Sequence, residues 1–168
     1  MEPQPDRAND SEDRALIERW LRGDQRAATA IVDRHANAIA RFVGTLGEQE
    51  RDEVVQDTFV RAFSSFDSFR GESSLRTWLF TIARRLVLDR RRAQRRRPEA
   101  ESLENVEVAE GGFTALDAIV AAESEGQVRE AVGRLSPTQR EVFTLRVGEG
   151  LSYKEIAEVV RTTEGAAR

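Results

Sequence analysis

The stretch FRGESSLRTWLFTIARRLVLDRRRAQRRR (69–97) reads as a loop running into one long helix with two incompatible faces. Gly71, Ser73 and Ser74 break the periodicity at its start, and FDSFRGESS (66–74) is therefore a loop. Beyond it, Leu75, Trp78, Leu79, Ile82, Ala83 and Leu86 recur at helical spacing. Arg76, Arg84, Arg85, Arg90, Arg91, Arg92, Arg95, Arg96 and Arg97 occupy the other side and the tail. Pro98 cannot continue the helix and ends it. Such a helix must lay its apolar stripe on neighbouring helices and turn its charge toward something acidic.

Upstream, three more amphipathic runs supply those neighbours. Ser11 precedes Leu16, Ile17, Trp20 and Leu21, a run ended by Gly23, and Trp20 reads as core. Asp24 is the N-cap of a second run with Ala27, Ala28, Ile31, Val32, Ile39, Phe42 and Val43, which stops near Gly47. A third covers about 48–65, with Val54, Val55, Thr58, Phe59, Ala62 and Phe63 in one stripe. Residues 1–10, with two prolines and no apolar period, are expected to be a disordered lead-in to a four-helix unit over 11–97. Downstream, 98–123 is acidic, carries Gly111 and Gly112, and reads as a flexible linker. Over 124–168 three short helical runs follow. Two of them open on capping boxes, Ser136-Pro137-Thr138-Gln139 and Ser152-Tyr153-Lys154-Glu155. Thr162 or Thr163 then restarts a helix, and small Ala157 permits the close approach of a helix-turn-helix. No segment alternates with the period of a strand, so the fold class is all-α.

Composition removes most enzyme classes. In 168 residues there is no cysteine and one histidine, His35, which excludes disulfides and thiolate chemistry and argues against a His-based metal site or triad. His35 itself reads as a packing or surface residue. No P-loop or dinucleotide-binding glycine pattern occurs, and Glu123 and Glu125 show no pairing that suits acid–base catalysis. No apolar run approaches the roughly 20 residues of a membrane span, and the polar N-terminus is not a secretory signal. The expectation is a cytoplasmic protein that is not an enzyme, needs no cofactor and inserts into no membrane.

The net charge of −4 conceals the most informative pattern. Residues 70–97 carry ten basic and two acidic side chains, whereas 98–127 carry no basic and eight acidic ones. Clustered arginines are the footprint of polyanion binding, and duplex DNA offers a charge about every 1.7 Å. Phe66, Phe69 and Trp78 beside this cluster read as core by spacing alone. In a cationic setting they also suit stacking on an unpaired base.

Taken in order, DEVVQDTFVRAF (52–63), FRGESSLRTWLFTIARRLVLD (69–89) and LSPTQREVFTLRVGEGLSYKEIAEVVRTTEGAAR (135–168) resemble the extracytoplasmic-function sigma factors of bacterial transcription. The likeness covers about 12–97, as sigma region 2, and 124–168, as sigma region 4. It implies that the third helix docks on the clamp helices of core RNA polymerase through Glu53, Gln56, Asp57, Val60 and Phe63, with the polymerase flap as a further contact. Internal packing is the competing role for Val60 and Phe63.

By the same resemblance, the loop and fourth helix capture a flipped base of the −10 element through Phe69, Arg70, Ser73, Arg76, Trp78, Arg84, Arg85 and Arg91. Many members of that family carry asparagine where this chain has Arg85; a guanidinium favours guanine acceptors or phosphate. The acidic linker is implied to thread the channel that later carries nascent RNA. Thr163, Glu164 and Arg168 fall in the first turn of the helix that reads the −35 element. Relatives continue that helix further, so the chain is expected to be cut within it. An anti-sigma factor is the implied regulator. Two other functions fit parts of the chain: a helix-turn-helix regulator acting without polymerase, and a helical adaptor whose arginines bind RNA or an acidic partner.

Overall fold

The structure is a computed structural model that describes residues 7–96 and 131–167. Four helices, α1 (Arg7–Leu21), α2 (Gln25–Thr45), α3 (Arg51–Ser65) and α4 (Leu75–Arg96), form the N-terminal unit. A 3-10 turn, Phe66–Ser68, leads from α3 into the loop before α4. The C-terminal unit holds α5 (Pro137–Phe143), a π turn over Thr144–Gly148, α6 (Tyr153–Val160) and α7 (Glu164–Ala167). No strand occurs among the described residues.

Local chemistry starts these helices. Asp24 accepts from the Arg26 amide at 3.0 Å and opens α2. Both capping boxes form, with Ser136 and Gln139 opening α5 and Ser152 and Glu155 opening α6. Arg161 takes the left-handed conformation (φ 55°) after α6, and the Thr163 hydroxyl accepts from the Ala166 amide to open α7, so the turn between the two helices is tight.

The first helix departs from expectation: it already runs at Arg7, the first described residue, ahead of Ser11. The reason lies across the bundle: Arg34 of α2 donates to Asn9 at 2.9 Å, to Glu12 at 2.6 Å and to Asp13 at 2.9 Å, clamping the opening turns. His35 also has a partner that the sequence did not reveal. Its Nε2 lies 3.1 Å from buried Asp13, and since a carboxylate only accepts, the ring nitrogen donates. The expected linker (98–123), residues 1–6 of the lead-in, the start of the C-terminal unit (124–130), Arg97 and Arg168 lie outside the described residues.

Phe42, Phe66, Phe80, Ile31, Ile39 and Leu79 are the largest side chains sealed in the N-terminal unit. Thr58 sits among them because its hydroxyl donates to the Val54 carbonyl at 2.7 Å. The apolar interior continues into the C-terminal unit through Leu145, Leu151, Ile156 and Val159, and α6 packs directly on α4.

Candidate functional site

The five residues expected to face polymerase fall into two groups. Gln56, Val60 and Phe63 line a shallow apolar groove of about 520 Å³ between α2 and α3, with Val55 beside them and Val32 and Ala36 of α2 on the other wall. Val60 is 61% exposed there, a large apolar side chain open to water. Phe63 is half-buried and packs its ring on Trp20, Phe59 and Phe66 at centroid distances of 5.0, 6.2 and 5.5 Å, so it supports the groove from below. Glu53 and Asp57 instead turn toward α4. Together with Glu50 they surround Arg90, which donates to Glu50 at 2.7 Å, to Asp57 at 3.0 Å and to Glu53 at 3.3 Å. Burial works against the charge of Arg90, but the hydrogen bonds it donates to Asp57 and Glu53 outweigh it and hold the guanidinium pKa above its ordinary value.

The residues expected to engage the −10 element also divide. Trp78 is half-buried between Phe66 and Phe69, with ring centroids 5.7 and 4.9 Å away, so an aromatic cluster forms at the start of α4. Arg70 is exposed and Ser73 half-buried in the loop above it. Arg85 is exposed, with Asp89 4.0 Å away on the next turn. Arg91 is turned inward and donates to the Leu46 carbonyl at the end of α2, where a cation suits the helix C-terminus.

Arg76 and Arg84 correct the picture of a uniformly exposed cationic face. Both reach across to the C-terminal unit. Arg84 donates through Nε to Glu141 at 2.6 Å, and the two side chains are 15% and 7% exposed. Arg76 donates to Glu149, whose carboxylate is also gripped by Arg41 of α2 through two bonds of 2.9 and 3.1 Å. Only 1% of the Glu149 side chain is exposed. Beside them Glu155 accepts from the hydroxyls of Ser74 (3.3 Å) and Thr77 (3.0 Å) while closing its own capping box. Arg41, Glu141, Glu149 and Glu155 were missed in the sequence, since partners so far apart leave no local pattern. Thr163 and Glu164 are exposed at the start of α7. Among the described residues no group of His, Asp or Glu is arranged to hold a metal, and no helix is long and apolar enough to cross a membrane.

Two family models match, one for each unit: sigma-70 region 2 over residues 31–97 and sigma-70 region 4 over 125–168. The ECF RNA polymerase sigma-E factor of Haemophilus influenzae is 34% identical over 93% of this chain and 87% of its own. Among solved structures, CnrH in complex with the cytosolic domain of CnrY is 30% identical, with a TM-score of 0.60 over 92% of this chain and 86% of that one. The sigma factor RpoE from Bartonella quintana, in complex with the anti-sigma factor NepR, is 25% identical with the same TM-score, over 83% and 86% of the two chains. With both regions matched in order, the first from within α2 through α4 and the second over α5–α7, the chain belongs to the extracytoplasmic-function family of RNA polymerase sigma factors.

Proposed function

We propose that this chain binds core RNA polymerase through the α2/α3 groove and directs it to promoters, with α4 and its preceding loop engaging the −10 element. The observation that carries the proposal is one unit presenting two unlike surfaces on adjacent helices. An apolar groove with Val60 open to water suits a helical partner with an apolar ridge. The aromatic cluster of Phe66, Phe69 and Trp78, flanked by exposed Arg70 and Arg85, suits an unstacked base on a charged strand. Residues 11–97 would then serve as region 2 and 124–168 as region 4, with Thr163 and Glu164 of α7 toward the −35 element. Polymerisation chemistry would belong to core polymerase, and this chain would act in the cytoplasm as a specificity factor without chemistry of its own. Regulation by an anti-sigma factor is supported by the NepR complex of the RpoE relative.

Co-elution with purified bacterial core polymerase on a sizing column at physiological salt tests this function. A stable complex is expected. Free elution of the folded chain would leave a DNA-binding regulator that acts without polymerase.

A further inference from the structure

We infer that Arg14 of α1 is a positioning residue for the loop before α4: it holds the loop tip at Gly71 and thereby sets where Arg70 and Ser73 stand, and with them the choice of −10 base. The effect on promoter choice rests on the sigma-factor function; the tether itself rests on the geometry. Both ends of the loop are anchored. On one side the Phe69 amide donates to the Phe66 carbonyl at 3.2 Å, and the Phe69 ring lies 4.9 Å from that of Trp78. On the other, the Ser74 hydroxyl accepts from the Thr77 amide at 3.1 Å, and its carbonyl accepts from the Trp78 amide at 3.1 Å. Between these anchors, residues 70–73 take part in one hydrogen bond among the described residues. Arg14 Nη2 donates to the Gly71 carbonyl at 3.4 Å.

That bond is long, and a second contact supports it. A Cβ at Gly71 would stand 3.6 Å from Arg14 Nη2 and 3.8 Å from both Cζ and Nε, so the guanidinium lies broadside across the glycine. Gly71 has φ 68°, a left-handed conformation that favours glycine. The charge of Arg14 is also uncommitted elsewhere. Arg19 and Arg22 of the same helix pair with Asp24 at 2.7 Å and with Glu18 at 3.3 Å, whereas Arg14 has no carboxylate partner among the described residues. A carbonyl that accepts from a guanidinium makes a charge-assisted bond, stronger than a neutral one. The loop depends on such a hold. Arg70 is exposed and Ser73 only half-buried, so neither is fixed by packing, yet a binding group must be held to within about 0.5 Å to discriminate.

The chain has no cysteine, so E72C introduces a single exposed site for a nitroxide label beside Gly71. R14A in the labelled chain is expected to sharpen the nitroxide spectrum as the loop gains motion. The melting temperature should stay the same, because Arg14 is exposed. Unlabelled R14A is then assembled with core polymerase and assayed on a promoter series varied one −10 position at a time. At the position the loop reads, the ratio of transcription between the best and the worst base is expected to fall about fivefold. The salt dependence of promoter binding should not change, since a positioning residue neutralises no phosphate. An unchanged nitroxide spectrum overturns the inference, as does an unchanged base preference. So does an equal loss on every −10 sequence with a salt slope lower by about one, which would make Arg14 a phosphate contact. Co-elution of the unaltered chain with core polymerase tests the sigma-factor function separately, and the nitroxide spectrum decides the tether whether or not that function holds.

Discussion

Val60 offers the sharpest separation of surface from core on α3. Fully burying a valine side chain contributes about 1.5–3 kcal/mol. Val60 keeps 61% of its surface open in the free chain, so a partner can bury at most about three-fifths of that contribution, roughly 1–2 kcal/mol. V60A should therefore weaken polymerase binding, by up to about five- to thirtyfold. V60D, which sets a carboxylate in an apolar contact, should weaken it by about a hundredfold or more. Neither change should lower the melting temperature appreciably, since the side chain is not part of the interior. One helical position away, Phe59 is 5% exposed, and F59A should cost about 3–5 kcal/mol of stability. Competition for core polymerase against a labelled copy of this chain gives the affinities, and thermal melts followed by circular dichroism give the stabilities. A folded V60D chain that competes as well as the unaltered one would refute the groove as the polymerase site.

Three further outcomes follow from the same geometry. D13A removes the acceptor for buried His35 and for Arg34 Nε, and should destabilise the chain by about 2–3 kcal/mol; a denaturant midpoint equal to that of the unaltered chain would contradict the α1–α2 clasp. Hydrogen bonds from Arg19 and from the Arg26 amide hold the Asp24 carboxyl below its ordinary value of 3.8. The folded pKa lies below the unfolded one, so this stabilisation is complete above about 3.8 and is lost as pH falls through the folded pKa. The melting temperatures of D24A and the unaltered chain should thus differ at neutral pH and converge in strong acid. R85A should reduce transcription from a promoter with a fixed −10 element about tenfold, while leaving polymerase binding and the melting temperature unchanged, because Arg85 is exposed; equal transcription would remove Arg85 from the DNA site.

What was legible in the sequence was whatever chemistry acts within a few residues. Asp24, Ser136 and Ser152 mark helix starts through bonds to amides two or three positions on, and each start is found where the spacing predicts it. The apolar stripe of α4 was equally plain, since 3.6-residue periodicity is a local property. The early start of α1 was not, because Asn9 and Glu12 are held by an arginine on another helix. The candidate sites show the same division. Arg70, Arg85 and Val60 are exposed, as an external role for them requires. By contrast, charge alone cannot tell an arginine aimed at solvent from one aimed at a carbonyl or at a distant carboxylate. Arg91, Arg90 and Arg84 look alike in the sequence, and each has a different partner.

The pairing of Arg84 with Glu141 also has a consequence in time. The two residues are 57 positions apart, and the ribosome adds residues at roughly 5–20 per second, so about 3–11 s separate the synthesis of one from the other. For that interval the arginines of α2 and α4 have been made and the glutamates that answer them have not. During that interval Arg41, Arg76 and Arg84 lack the carboxylates that they meet in the folded chain. The ion pairs close only once the C-terminal unit that carries Glu141 and Glu149 has been made.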